Sequence, residues 1–144
     1  MIQRRQLLAT GLAAAVLPLQ GLAQAMVDGL KLEAGALIEK EFGETLNHSK
    51  YLNNRKNMVE LSGGLTNRNI KIETDQGDFV ARISSNESSL LSIDRNNEFF
   101  NSKIAADKGI GAPVYDYQAE YGLLVIGFLK GKTFDGSDVA NNTA

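Results

Sequence analysis

Three short segments with alternating apolar and polar residues follow one another between residues 58 and 83. The first two are separated by the pair Gly63 and Gly64, and the last two by the turn sequence Asp75-Gln76-Gly77-Asp78. A period of two is that of a β-strand with one face in a core, and glycine and aspartate favour tight turns. The pattern therefore predicts an antiparallel meander with strands over residues 58–61, 69–74 and 79–83.

A helix and a second hairpin are expected after this meander. Ile93, Phe100 and Ile104 lie on one face of a helix predicted over residues 93–108, with Lys108 in its last turn and Gly109 as its end. Two more strands follow, over residues 114–118 and 123–126. The predicted fold is α+β, with a five-stranded antiparallel sheet and one principal helix.

A further helix is expected before the meander, over residues 28–42. Its apolar positions recur at helical spacing: Leu30, Ala34, Leu37, Ile38 and Phe42. The next residues, 45–57, are mostly polar and are predicted to form a loop.

The first 25 residues have the composition of a secretory signal peptide. Arg4 and Arg5 precede an apolar run, no charge appears again before Asp28, and Ala23-Gln24-Ala25 fits a small-x-small cleavage site. The arginine pair is typical of the twin-arginine route. Export with cleavage after Ala25 is therefore predicted, and amino-terminal sequencing of the protein from its native cell tests it. The alternative is an Ala/Leu-rich amphipathic helix that packs on the domain. Membrane contact is expected only through this segment, and only if it stays uncleaved.

Composition excludes several classes of function. The net charge is −2, so the chain lacks the basic excess expected of a nucleic-acid-binding protein. It contains no cysteine, which excludes disulfides and thiolate metal sites. Its single histidine, His48, lies in a polar run and is predicted to be a solvated loop residue, which argues against a zinc site or a Ser-His-Asp triad.

The glycine pair permits two interpretations. A dinucleotide fingerprint requires a helix after the glycines, whereas a strand is predicted here. Gly63 and Gly64 therefore form either a plain hairpin turn or a bare backbone loop that covers phosphates. A second glycine segment, residues 127–133, is not a P-loop, because three residues instead of four separate Gly127 from Gly131-Lys132-Thr133.

A cation and a carboxylate follow the glycines in the order that a kinase-type nucleotide site needs. Arg82 lies on the third predicted strand and Glu98 on the next helix. In such sites a strand cation holds the phosphates and a helix carboxylate orients the cation.

These residues resemble the amino-terminal lobe of choline/ethanolamine kinases, within the wider aminoglycoside-phosphotransferase-like fold. Arginine at position 82 favours the choline kinase branch, since aminoglycoside phosphotransferases usually have lysine there. The resemblance covers about residues 58–133 and depends on five motifs in order: Ser62 to Asn67, Phe79 to Ile83, Ile93-Asp94-Arg95 with Glu98, Gly109 to Pro113, and Leu124 to Gly131.

The resemblance implies ATP-dependent phosphorylation of a small amino alcohol such as choline, with ATP and Mg²⁺ as cofactors. Arg82 would contact the phosphates, Glu98 would pair with Arg82, and Arg95 would brace the helix. The loop over the phosphates would consist of Gly63, Gly64, Leu65, Thr66 and Asn67, and backbone groups of Gly127, Phe128 and Leu129 would bind adenine. Leu61, Val80 and Ile126 would contact the base.

The family's His-x-Asp-x-x-x-x-Asn motif, which carries the catalytic aspartate and a metal ligand, has no counterpart after Arg82. The resemblance therefore implies an inactive fragment without catalytic or metal-binding residues. The predicted parts are a signal-like segment (1–25), a helix and polar linker (26–57), the kinase-like lobe (58–133) and the start of a second lobe (134–144).

Two questions stay open from the sequence. The signal-like start predicts export, whereas the kinase resemblance implies a cytoplasmic protein. A rival interpretation is an exported, non-catalytic binding domain, and a third keeps the fold but changes the acceptor to thiamine, a sugar or an aminoglycoside.

Overall fold

The computed structural model describes residues 19–62, 67–84, 95–132 and 136. The chain divides into two compact units, Met1–Leu30 and Lys31–Ala144. The helices and strands are α1 (Leu19–Leu46), β1 (Asn57–Leu61), β2 (Asn67–Thr74), β3 (Gly77–Ser84), α2 (Arg95–Asp107), β4 (Val114–Gln118) and β5 (Leu123–Gly127). Short 3₁₀ turns cover Lys50–Leu52 and Ala119–Tyr121.

The five strands form one antiparallel sheet in the order β1-β2-β3-β5-β4. The meander is confirmed, and β5 lies between β3 and β4 because the second hairpin pairs back onto β3. Gly77 closes the β2–β3 turn with a φ of +133°, a conformation that suits glycine. The predicted α+β fold with a five-stranded antiparallel sheet is confirmed.

The register of the strands assigns the side chains to two faces, because directly opposed residues point the same way. The first, the core face, includes Met58, Ile70, Ile72, Phe79, Ala81, Ile83, Leu123 and Val125, all of which are buried. On the second face, one row is Leu61, Asn69, Arg82 and Leu124, and the next is Val59, Lys71, Val80 and Ile126. We call these the Arg82 row and the Val80 row.

Helix α1 contributes to the core through its carboxyl-terminal part. Ile38 and Leu46 are buried in the core cluster and Phe42 packs against it, which is a spacing of four residues. Leu30, Ala34 and Leu37, the other positions of the predicted helical spacing, are exposed instead, Leu37 to 67%. The helix is also longer at both ends than the predicted range of residues 28–42. Helical spacing of apolar residues alone does not show which turns of the helix pack on the sheet.

The prediction of a loop over residues 45–57 was wrong in part, because this stretch includes the end of α1, a 3₁₀ turn over Lys50–Leu52 and the first residue of β1. Leu46, Ser49 and Leu52 are fully buried, since the end of α1 and the following 3₁₀ turn place residues three apart on the core side. Arg55 then ties the segment to α1, donating to both carboxylate oxygens of Glu39 at 2.6 and 2.9 Å and to the Leu52 carbonyl at 3.0 Å. His48 is exposed, as predicted, and its ring stacks on Tyr121 at 3.3 Å between centroids.

Helix α2 ends at Asp107, one residue before its predicted end, so Lys108 lies just past the last turn and not in it, while Gly109 follows as predicted. Gly109 adopts a φ of +72°, and the N–H groups of Ile110 and Gly111 both donate to the Ala105 carbonyl. The predicted apolar face of this helix is largely exposed, since Phe100 and Ile104 are each 58% exposed. Phe99 makes the contact instead, with its ring stacked on Tyr117 of β4 at 4.5 Å between centroids. Ile93 lies outside the described residues.

The described part of the first unit, residues 19–30, is helical, and nearly all of its side chains are exposed. Within the described residues, no helix is long and apolar enough to cross a lipid bilayer.

Ser49 provides a test of the core. Its side-chain oxygen is buried without a hydrogen-bond partner in the described part of the chain, so it loses water without compensation. Ser49→Ala is expected to leave the free energy of unfolding unchanged or to raise it by up to about 1 kcal/mol. The matched variant Leu52→Ala, at a fully buried neighbour, should lower it by about 2–5 kcal/mol. Denaturant unfolding measures both, and a loss above about 1 kcal/mol in Ser49→Ala would contradict this account of the hydroxyl.

Acid should destabilise the fold. Hydrogen bonds from Arg55, Arg68 and Lys71 lower the pKa values of Glu39, Glu60 and Glu73 from the usual 4.5. A lowered folded-state pKa stabilises the fold above pH 4.5, and this stabilisation is lost as the pH falls through the folded-state value. The thermal midpoint is therefore expected to fall as the pH drops from about 6 to about 3.

Glu39→Gln separates this effect from general acid sensitivity. It should lower the midpoint at neutral pH and flatten the pH dependence, because Arg55 loses its charged partner. Glu44→Gln, at an exposed position of the same helix, is the control. A Glu39→Gln curve parallel to that of the parent protein would disprove the contribution of this pair.

Candidate functional site

Arg82 and Glu98 form an ion pair, with Nη2 of Arg82 2.6 Å from Oε1 of Glu98. Arg82 projects from the second face of the central strand β3, and Glu98 lies in the first turn of α2, where the helix dipole favours a carboxylate. Asn67 at the start of β2 donates its amide to the same Glu98 oxygen at 3.3 Å. The pairing expected from the sequence is present, and it links three elements of the fold.

A pocket surrounds this pair. It is lined by Asn67, Arg82, Ser84, Arg95, Glu98, Tyr117, Gly122 and Leu124. Two guanidinium groups and one carboxylate therefore meet at its wall, and guanidinium groups are preferred donors to phosphate and carboxylate oxygens. The charged donors of the pocket suit an anionic ligand group.

Gly122 lies beside the second guanidinium of the pocket, that of Arg95. Its φ is +59°, and a side-chain carbon there would lie 3.0 Å from Nη1 of Arg95. The Gly122 carbonyl also accepts a hydrogen bond from the Ser84 N–H at 3.0 Å, which joins the turn to the end of β3. The turn between β4 and β5 thus favours glycine for its backbone angle, and a side chain there would crowd the tip of Arg95.

The predicted phosphate loop lies partly outside the described residues. Gly63, Gly64, Leu65 and Thr66 fall there, whereas Asn67 is described and is opposite Ser84 in the β2–β3 register. The ends of β1 and β2 that this loop connects are therefore at the same end of the sheet as the pocket. The described ends of β1 and β2, Arg82 and Glu98 thus lie at one end of the second face.

The predicted base-binding segment lies at the other end of the sheet. The Gly127 N–H donates to the Pro113 carbonyl at 2.8 Å, and the Phe128 N–H donates to the Asp78 carbonyl at 3.0 Å. Leu129 is exposed. Any contact of this segment with a base must therefore use its carbonyl oxygens or the Leu129 N–H, which is a restriction that the sequence did not reveal.

Apolar side chains connect the two ends. Val80 and Ile126 are neighbours in the Val80 row, Leu124 lies beside Arg82, and Val80 and Leu124 are buried. Leu61 belongs to the Arg82 row at its β1 end. The second face therefore presents an apolar middle between a charged pocket and the Gly127–Leu129 segment, here called the hinge segment.

Lys71 was missed in the sequence analysis. Its Nζ lies 2.7 Å from Glu73, 3.3 Å from Asp78 and 4.7 Å from the centre of the Phe128 ring. The hydrogen bond with Glu73 is the main cause of a raised pKa of Lys71. Alternation along β2 puts Lys71 opposite Val80, so the strand period combined with the turn length could have placed it on the second face.

The described residues contain no group of three or more His, Cys, Asp or Glu side chains that could hold a metal ion. At the pocket the charged groups are two guanidiniums and a single carboxylate. This donor set suits phosphate oxygens and does not fit Mg²⁺, which prefers carboxylate oxygens and water.

The described residues thus form an α+β fold with a five-stranded antiparallel sheet and a charged pocket at one end of it. Among solved structures, the chain is similar to the choline kinase LicA from Streptococcus pneumoniae, with a TM-score of 0.54 and 20% sequence identity. The similarity covers 74% of this chain and 35% of that one, so the matched part is about a third of the length of LicA. No family model matches the chain, and no curated protein sequence matches it. At this identity the similarity shows the fold alone.

Proposed function

We propose that this chain binds ATP on the second face of its sheet, as the nucleotide-binding lobe of a phosphotransferase of the choline/ethanolamine kinase type. The observation that supports this most directly is the 2.6 Å pair of Arg82 and Glu98 beside the strand ends that carry the glycine loop. The similarity in fold to a choline kinase supports the same class of protein.

In this proposal each group has a separate task. Arg82 donates hydrogen bonds to phosphate oxygens, and Glu98 holds the guanidinium in place from the first turn of α2. Backbone N–H groups of the loop from Gly63 to Asn67 cover the phosphates. The base lies against Val80 and Ile126 and meets the carbonyl oxygens or the Leu129 N–H of the hinge segment.

The acceptor that we propose is a small amino alcohol such as choline. Two observations support this choice: the similarity in fold to a choline kinase, and the arginine at position 82. Mg²⁺ would neutralise the phosphate charge when bound with ATP, but the described residues do not fit it, so no role of this chain is derived from the metal. The catalytic motif of the family has no counterpart in the 144 residues, and we expect these residues to bind nucleotide without transferring phosphate.

Isothermal titration with ATP tests the proposal. The parent protein should bind ATP, and Arg82→Met should weaken binding about tenfold or more, because a hydrogen bond to a charged group is worth about 1.5–3 kcal/mol. The control is Arg68→Met, which removes a guanidinium on the neighbouring strand that pairs with Glu60 and Glu41 on the other face of the sheet.

Two results would contradict the proposal. The first is the absence of ATP binding by the folded parent protein, which would favour a non-catalytic binding domain. The second is an equal loss of affinity in Arg82→Met and Arg68→Met, which would mean that the loss reflects general charge or stability.

A further inference from the structure

Lys71 connects three parts of the base end of the candidate site. It lies on β2 opposite Val80, in the row of the second face that would contact the base. Its ammonium group is within ion-pair distance of Glu73 on its own strand, at 2.7 Å, and of Asp78 at the start of β3, at 3.3 Å. It is also 4.7 Å from the centre of the Phe128 ring, which is a favourable distance for a cation above an aromatic face.

Asp78 and Phe128 are themselves joined through the backbone. The Asp78 carbonyl accepts the Phe128 N–H at 3.0 Å, just where β5 ends and the hinge segment continues. Lys71 therefore contacts the side chains of both residues whose backbones hold the hinge segment to β3. A side chain that joins two partners in this way reduces their freedom before any ligand binds.

We propose that Lys71 is a positioning residue for base recognition: it holds Asp78 and Phe128 together and so fixes the backbone of the hinge segment that meets the base. This inference rests on the proposed nucleotide-binding function. It assigns to β2 a role in recognising the base, separate from the role of Arg82 at the phosphate end.

The experiment compares two ligands that differ only in whether they carry a base and ribose. ATP and inorganic tripolyphosphate are titrated into the parent protein and into Lys71→Met, which keeps the length of the side chain and removes its charge. ATP affinity should fall about three- to tenfold, because the hinge segment would then have to be ordered when ATP binds. The affinity for tripolyphosphate should stay unchanged, and Lys71→Arg should restore ATP binding.

Lys56→Met is the matched control, because Lys56 also forms a strand-end ion pair, with Asp75 at 2.5 Å, but at an exposed turn. It should leave both affinities unchanged. Asp78→Asn is a second variant, which removes the side-chain partner of Lys71 and retains the carbonyl that binds the Phe128 N–H. It should reproduce the selective loss of ATP affinity if Lys71→Met does not fold.

The outcomes separate this inference from the proposed function. ATP binding by the parent protein that is equally strong in Lys71→Met, or a parallel loss for ATP and tripolyphosphate, would overturn the role of Lys71 and leave the proposed function intact. A folded parent protein that binds no ATP would overturn both. A selective loss that Lys71→Arg repairs and Lys56→Met does not show would support the positioning role.

Discussion

The alternation along β3 is the constraint on which the rest of the molecule depends. Ala81 and Ile83 point into the core, and Val80 and Arg82 point to the second face. β3 pairs with β2 on one side and β5 on the other, so its register fixes that of the whole sheet. A shift by one residue would place the Arg82 guanidinium among Ile70, Ile72 and Leu123, where burying an unpaired charge costs several kcal/mol. The hydrophobic core therefore selects the register that exposes Arg82 to Glu98.

The same register explains why the candidate site has two ends. Asp78 and Arg82 are four positions apart on β3, which corresponds to about 13 Å along a strand. β1 ends and β2 begins at the Arg82 end, and the hinge segment leaves β5 at the Asp78 end. An elongated ligand with an anionic tail and an apolar planar head would match this face, since the charged pocket and the apolar middle follow one another in that direction. A nucleoside triphosphate has such an anionic tail and planar head.

Local sequence patterns were sufficient for the strands and their turns, whereas the Arg82–Glu98 pair was expected only because a kinase-type site and the family resemblance require it. The period of two, the turn residues and the glycine after α2 are signals within a few residues, and the structure follows them at Gly77 and Gly109. The burial of Leu46, Ser49 and Leu52 could not be predicted in this way, because it depends on how a short 3₁₀ turn folds back onto the sheet. Lys71 and Gly122 escaped notice for a related reason. Lys71 contacts Asp78 and Phe128, which lie outside its own strand, and Gly122 lies beside Arg95 at the start of α2.

The energetics of the Arg82–Glu98 pair argue for a role other than stability. The two side chains are 31% and 24% exposed, so solvent screens their attraction and weakens what the pair contributes to folding. The core provides most of the stability, through side chains on the opposite face. A guanidinium held by a carboxylate at the edge of a pocket, with a second guanidinium on the same wall, keeps its orientation at little energetic cost. This is the arrangement expected when the donors are needed for an incoming anion, because donors fixed in advance lose less entropy on binding.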